Sequence, residues 1–174
     1  MQVSKSFKRV IFLELAIPIA LLLLGIYHGL MQTIYRSGAI QQTSVAKLDY
    51  YQGLTLHGVI NAIVLTTFFA VAFGHVTMTY YLKKEPNKKL MWLSFWFMLI
   101  GTVMAAWAMI AGKASVLYTF YPPLKAHPLF YLGTALIIVG SWFPFFDWSR
   151  MYMKWKKVNP TTKTPLAVLG TLIN

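Results

Sequence analysis

The chain has 174 residues, of which 57% are hydrophobic and only 11% are charged, and its mean hydropathy is +0.57. A soluble domain carries about a quarter charged residues, so this composition excludes an ordinary water-soluble protein. The net charge is +12 and there is no cysteine, which removes iron–sulfur clusters and covalent c-type heme attachment and leaves His, Met and carboxylates as metal ligands.

Four apolar segments are long enough to cross a bilayer, whose hydrocarbon core needs about 20 helical residues. They cover residues 10–33, 54–82, 90–111 and 129–148. The first follows a basic start but is too long for a cleaved signal sequence, so we interpret it as a membrane helix. A fifth apolar stretch, 166–174, is too short to span. The sequence predicts an all-α, polytopic membrane helix bundle of four transmembrane helices plus a truncated fifth.

The positions of Lys and Arg predict the orientation of these helices. Twelve of the sixteen lie before the first segment, between the second and third, or after the fourth, whereas the other two loops contain only Arg36, Lys47, Lys113 and Lys125. Basic loops stay in the cytoplasm. We therefore expect a cytoplasmic amino terminus in a prokaryotic plasma membrane, with the loops 37–51 and 113–128 outside. Basic runs in such positions indicate contact with lipid and not with nucleic acid.

Small residues recur at helical spacing within the apolar segments. Such residues allow neighbouring membrane helices to approach closely. The pairs are Gly25 with Gly29, Gly101 with Ala105, and Gly133 with Gly140. The sequence therefore predicts close helix contacts at these positions.

Two carboxylates lie near the predicted cytoplasmic ends of the spans, Glu14 and Asp147. Ionisable groups inside a membrane are costly unless they are paired or functional. Snorkelling to water, or pairing with Lys8, Arg9 or Arg150, explains both. A role in proton uptake is the alternative.

His57 lies one turn inside the outer end of the second segment and has glycine directly after it. An imidazole with small neighbours can ligate the iron of a heme that lies flat against a helix. Its face continues through Ile60, Asn61, Val64 and Phe68, which would suit a porphyrin plane. The alternative is a headgroup-level histidine that is hydrogen-bonded to a loop.

The other three histidines have weaker contexts. His75 lies 18 residues after His57, about 27 Å along the same face, and we expect an interfacial histidine beside Tyr80 and Tyr81. His28 and His127 lie at the outer side, where either would be solvated or would approach His57.

Two stretches resemble subunit I of the heme-copper terminal oxidases, specifically the B-family b(o/a)3-type cytochrome c oxidases. They are YYQGLTLHGVIN at 50–61 and VLYTFYPPL at 116–124, and LMWLS at 90–94 fits as well. The resemblance covers most of residues 50–165 and is weaker in the first helix. It implies a subunit that carries electrons from cytochrome c to oxygen and pumps protons.

The resemblance also implies roles for particular residues. His57 would be an axial ligand of the low-spin heme b iron, and Tyr118 and Tyr121 would contact the heme edge near the electron-donating, copper-containing subunit II. The second heme b ligand and the ligands of the high-spin heme and copper have no match among the four histidines. Residues 1–174 would then be the amino-terminal part of a single subunit I membrane domain, inactive without the remainder of subunit I.

Three other hypotheses remain open. A nitric oxide reductase-like subunit could share the His57 motif. A self-contained four-helix b-type cytochrome could pair His57 with His28 or His127. A helical membrane scaffold would bind no cofactor.

Overall fold

The computed structural model describes residues 2–39 and 49–173, and this part of the chain is mainly helical. Its helices are α1 (Lys5–Arg36), α2 (Tyr50–Leu82), α3 (Lys88–Ile110), α4 (Pro128–Val158) and α5 (Leu166–Ile173). The first four are long and apolar enough to cross a membrane. The predicted all-α class and the four spans are confirmed. Lys47, which the sequence places in an outer loop, lies outside the described residues.

The helices extend beyond the apolar segments that predict them. α1 already begins at Lys5, where the Ser4 side chain accepts a hydrogen bond from the Phe7 N–H. α4 continues to Val158, well beyond the end of the apolar segment 129–148. An apolar segment measures only the hydrocarbon thickness, and a helix with basic residues in its last turn, here Lys156 and Lys157, continues favourably into water.

α2 contains a change of helical type. It starts at a capping box, in which Asp49 accepts from the Gln52 N–H and the Gln52 side chain accepts from the Asp49 N–H. The segment Ile60–Leu65 is a π-helix. Such segments are rare and occur frequently at functional sites. This one starts three residues after His57.

Glycines set the closest approaches between helices. A Cβ built on Gly133 of α4 would lie 2.7 Å from the Ala105 backbone nitrogen of α3, and one on Gly140 would lie 2.8 Å from Met98 Cγ. On the other side of the bundle, Gly25 and Gly29 of α1 lie against α2. The predicted small-residue contacts are confirmed.

The bundle has two apolar clusters. The larger joins α1, α2, α3 and the start of α4 around side chains such as Phe68, Phe95 and Phe130. The smaller packs Val168 of α5 against Met78 and Trp148. We call the end of the bundle at which α1 and α3 begin the basic end; the other is the opposite end, where α2 begins beside the loop between α3 and α4.

Candidate functional site

His57 is held by the backbone of α1. Its Nδ1 lies 2.7 Å from the Gly25 carbonyl oxygen. A carbonyl oxygen can only accept, so Nδ1 carries the proton and the Nε2 lone pair is free. Metal-ligating histidines typically donate their second ring N–H in this way, which fixes the tautomer and the ring orientation. The geometry leaves Nε2 as an unprotonated nitrogen, which is the form that can bind a metal.

Small residues make room for the imidazole. A Cβ on Gly29 would lie 2.6 Å from both Cε1 and Nδ1 of His57, and one on Gly25 would lie 2.6 Å from Asn61 Oδ1. The Asn61 side-chain amide also lies beside this ring, 3.1 Å from Nδ1. Both polar contacts that the described residues make with the ring are therefore at Nδ1, on the side away from Nε2.

The prediction that the face of α2 after His57 forms an apolar surface for a porphyrin is wrong. Ile60, Val64 and Phe68 are all buried, Phe68 with 0% of its surface exposed. They belong to the core that α2 shares with α1 and α3. The half-buried His57 ring itself faces a more accessible surface. The prediction fails because it places these residues on the accessible side of α2, whereas they pack toward α1 and α3.

The loop between α3 and α4 folds over the first turns of α2. Gln52 Nε2 donates to the Gly112 carbonyl at 2.7 Å, and the Leu117 N–H donates to Thr55 Oγ1 at 2.9 Å. Tyr118 then packs on Gly58, where a Cβ would lie 2.9 Å from the tyrosine Cδ1. The structure thus brings Tyr118 against the residue that follows His57.

Tyr121 is less enclosed than Tyr118. Its side chain is 60% exposed, compared with 51% for Tyr118, and its backbone N–H donates to the Val116 carbonyl. Both tyrosines remain partly free to contact another molecule at the opposite end.

His127 and His28 have other surroundings. His127 caps α4, since its Nδ1 accepts from the Leu129 N–H at 3.2 Å, and its ring packs on Trp107. His28 is buried, with its ring edge-on to Tyr27. Within residues 2–39 and 49–173, no three metal-binding side chains come together.

His75 is not interfacial. Only 1% of it is exposed, and its Nδ1 accepts from the Trp148 indole at 3.1 Å. The expected position beside Tyr80 and Tyr81 is therefore wrong.

The two intramembrane carboxylates differ from their predicted environments. Glu14 is completely buried, and within residues 2–39 and 49–173 neither carboxylate oxygen has a hydrogen-bond partner, so it neither snorkels nor pairs with a residue in these ranges. Asp147 is buried as well and accepts from the Asn87 N–H, which fixes the turn before α3. The sequence could not reveal this, because α1 is apolar on every face and its periodicity does not indicate which side faces inward.

Comparison with known proteins gives the family. Residues 9–174 match the model of the family described as Cytochrome C and Quinol oxidase polypeptide I. The chain belongs to this family. It is 46% identical over 125 residues to cytochrome c oxidase subunit 1 of Thermus thermophilus, which covers 72% of this chain and 22% of the relative.

A solved heme-copper terminal oxidase dimer is also similar. It superposes with a TM-score of 0.94 at 54% identity, over 98% of this chain and 30% of that one. The chain thus spans less than a third of the length of these oxidase relatives. The predicted resemblance to subunit I is confirmed, as is an integral membrane location, and the bacterial relative fits a plasma membrane. Heme, copper and further subunits are features of such oxidases.

Proposed function

We propose that this chain supplies the His57-bearing part of the catalytic subunit of a respiratory terminal oxidase. In this function electrons pass from cytochrome c through low-spin heme b to an oxygen-reducing heme-copper center, with proton pumping. The observation that carries the proposal is the hydrogen bond from His57 Nδ1 to the Gly25 carbonyl, which leaves Nε2 as a ligand atom. Family membership supports the activity.

The residues around His57 fit the role of an axial ligand. The Gly25 carbonyl makes Nε2 more basic and fixes the ring plane. Gly29 leaves the space that the ring occupies. Low-spin heme, when bound, supplies one-electron transfer at a six-coordinate iron. The contribution of α1 and α2 is to hold one imidazole in a single orientation.

The opposite end of the bundle offers the contact surface for electron donation. Tyr118 packs on Gly58 and keeps half of its surface exposed, and Tyr121 is more exposed still. We assign both tyrosines to the heme edge and to the side that meets the copper-containing subunit II. The second heme b ligand and the ligands of the high-spin heme and copper belong, in this proposal, to the remainder of subunit I.

Changing His57 to Leu in the complete oxidase tests the proposal. A low-spin, six-coordinate iron needs both axial nitrogens, so we expect loss of the low-spin heme b absorbance while the rest of the subunit still assembles. His127→Gln is the matched control, because that histidine lies at the same end but caps α4. A low-spin heme spectrum that survives the loss of His57 would contradict the assignment.

The other cofactor-binding hypotheses have less support. A self-contained b-type cytochrome would need His28 or His127 as a second imidazole. His127 uses its Nδ1 as a helix cap and packs its ring on Trp107, and His28 is buried with its ring edge-on to Tyr27. A nitric oxide reductase-like subunit is disfavoured because the relatives reported above are named as oxidases.

A further inference from the structure

Asn61 is the second polar group at the Nδ1 atom of His57. It lies four residues after His57, on the same face of α2, and its side-chain amide is 3.1 Å from Nδ1. The same ring nitrogen lies 2.7 Å from the Gly25 carbonyl oxygen. Two polar groups therefore meet at one ring atom, and the hydrogens must be arranged so that both contacts are favourable.

Gly25 confines the Asn61 amide. A Cβ on Gly25 would lie 2.6 Å from the end of the amide that points away from the ring. That end is buried and has no hydrogen-bond partner among residues 2–39 and 49–173. The amide is thus held between Gly25 and the imidazole, and it can present either its oxygen or its nitrogen to Nδ1.

The hydrogen bonds around the ring decide between these two orientations, because the oxygen and nitrogen of an amide have nearly the same shape. The Gly25 carbonyl can only accept, so Nδ1 carries a proton. An amide nitrogen in front of that proton would place two donors opposite each other, whereas the amide oxygen accepts from it. The network therefore favours the orientation in which the Asn61 oxygen faces the ring.

The reverse arrangement would disable the ligand atom. If the amide nitrogen donated to Nδ1, this ring atom would be an acceptor, and it would face the Gly25 carbonyl oxygen at 2.7 Å with no hydrogen between them. The neutral ring would then carry its proton on Nε2 and could not bind iron through that atom. The orientation of Asn61 and the ligand form of His57 are therefore linked.

We propose that Asn61 presents its side-chain oxygen to the Nδ1 proton of His57 and acts as a positioning residue for the heme ligand. It stabilises the tautomer that leaves Nε2 free, and it adds a second acceptor to the one that Gly25 provides. This proposal rests on the proposed function of His57 and names a side chain that adjusts it.

The second acceptor has a consequence for electron transfer. A hydrogen bond from Nδ1–H makes the imidazole more basic, so Nε2 becomes a stronger electron donor to a metal. Stronger donation stabilises ferric over ferrous heme, and hydrogen bonding to the axial ligand is one of the factors that set its potential. Removing the Asn61 oxygen should therefore raise the midpoint potential of the low-spin heme, while the bond to Gly25 keeps the ring in place.

Redox titration of the low-spin heme in the complete oxidase complex tests the proposal. Asn61→Leu removes the acceptor at nearly constant volume, and we expect a higher midpoint potential and shifted electron paramagnetic resonance g values, with the low-spin heme content unchanged. Asn61→Asp keeps an oxygen at this place, so its potential should stay at or below the wild-type value. Thr66→Val is the matched control, because the Thr66 hydroxyl bonds within α2 and should leave the potential unchanged.

Asn61→Ser covers the case in which leucine prevents assembly. Serine is too short to reach the ring, and its hydroxyl can bond to the carbonyl four residues earlier, as that of Thr66 does. We expect the same rise in potential as in Asn61→Leu. An unchanged or lower potential in either variant would overturn the proposal, and so would an equal rise in Asn61→Asp, which would indicate disturbed packing. The proposed function itself fails only if low-spin heme survives the loss of His57.

Discussion

Gly29 lies directly against the imidazole of His57, so that a Cβ at Gly29 would be 2.6 Å from two atoms of the ring. The contact joins α1 to α2 at the same level as the hydrogen bond from His57 Nδ1 to Gly25. The position of the ring therefore depends on the absence of a side chain at residue 29 as well as on the hydrogen bond to Gly25.

Gly29→Ala tests this dependence without removing the ligand. The added methyl group must push the ring away from the Gly25 carbonyl, because real Cβ atoms do not approach other atoms so closely. We expect a low-spin heme b band that is weakened or shifted, measured in the purified oxidase by optical and electron paramagnetic resonance spectra. Gly170→Ala is the control, since nothing lies within 4 Å of its Cβ position. An unchanged spectrum in Gly29→Ala would show that the ring is not confined there.

Gly133→Ala should destabilise the bundle without affecting the heme. Its Cβ would meet the Gly101 carbonyl oxygen at 2.6 Å and the Ala105 nitrogen at 2.7 Å, both of them backbone atoms that cannot rotate away. Overpacking of this kind costs about 1–3 kcal/mol. Thermal unfolding in detergent should show a lower midpoint than wild type, whereas Gly170→Ala should match wild type. Equal midpoints for the two variants would mean that α3 and α4 separate at little cost.

Thr55→Val should loosen the loop that carries Tyr118. The substitution keeps the shape of the side chain and removes the acceptor for the Leu117 N–H, a bond worth about 1 kcal/mol. We expect faster hydrogen exchange at Leu117 and slower oxidation of cytochrome c, with the low-spin heme spectrum unchanged. Thr66→Val is the matched control, because that hydroxyl bonds only within its own helix. Unaltered hydrogen exchange at Leu117 would contradict the assignment of this loop to the electron-donating side.

The orientation of the bundle in the membrane can be determined by labelling single introduced cysteines, because the chain has no cysteine of its own. Lys88→Cys at the basic end should react with an impermeant maleimide only after the membrane is opened, as should a tag at the amino terminus. Lys125→Cys at the opposite end should react in intact cells, and the same is expected at position 47. The reason is the excess of basic residues at one end. The reverse labelling pattern would show that the bundle has the opposite orientation in the membrane.

The sequence predicts the spans well because an apolar run of membrane length is a strong signal that depends on no tertiary contact. It also predicts the glycine contacts, since small residues at helical spacing are favourable only where helices meet. The rotation of each helix about its own axis could not be predicted in the same way. α1 is apolar on all sides, so nothing in its pattern shows that Glu14 faces inward.

The candidate site was predicted in part. His57 is recognisable from its neighbouring glycine and from the motif at 50–61. Its hydrogen bond to Gly25 joins residues 32 positions apart, and such a contact follows from packing and not from local sequence. The burial of Phe68 was missed because the side of α2 that packs against its neighbours is set by tertiary contacts and not by the local sequence.

The π-helix Ile60–Leu65 interrupts the regular α-helical winding of α2 between His57 and the second half of the helix. A regular α-helix with the same number of residues would turn everything beyond this segment by about 100° relative to His57. Phe68 and His75, which are buried, would then face a different side of α2. The segment therefore sets the rotation of the buried half of α2 relative to His57.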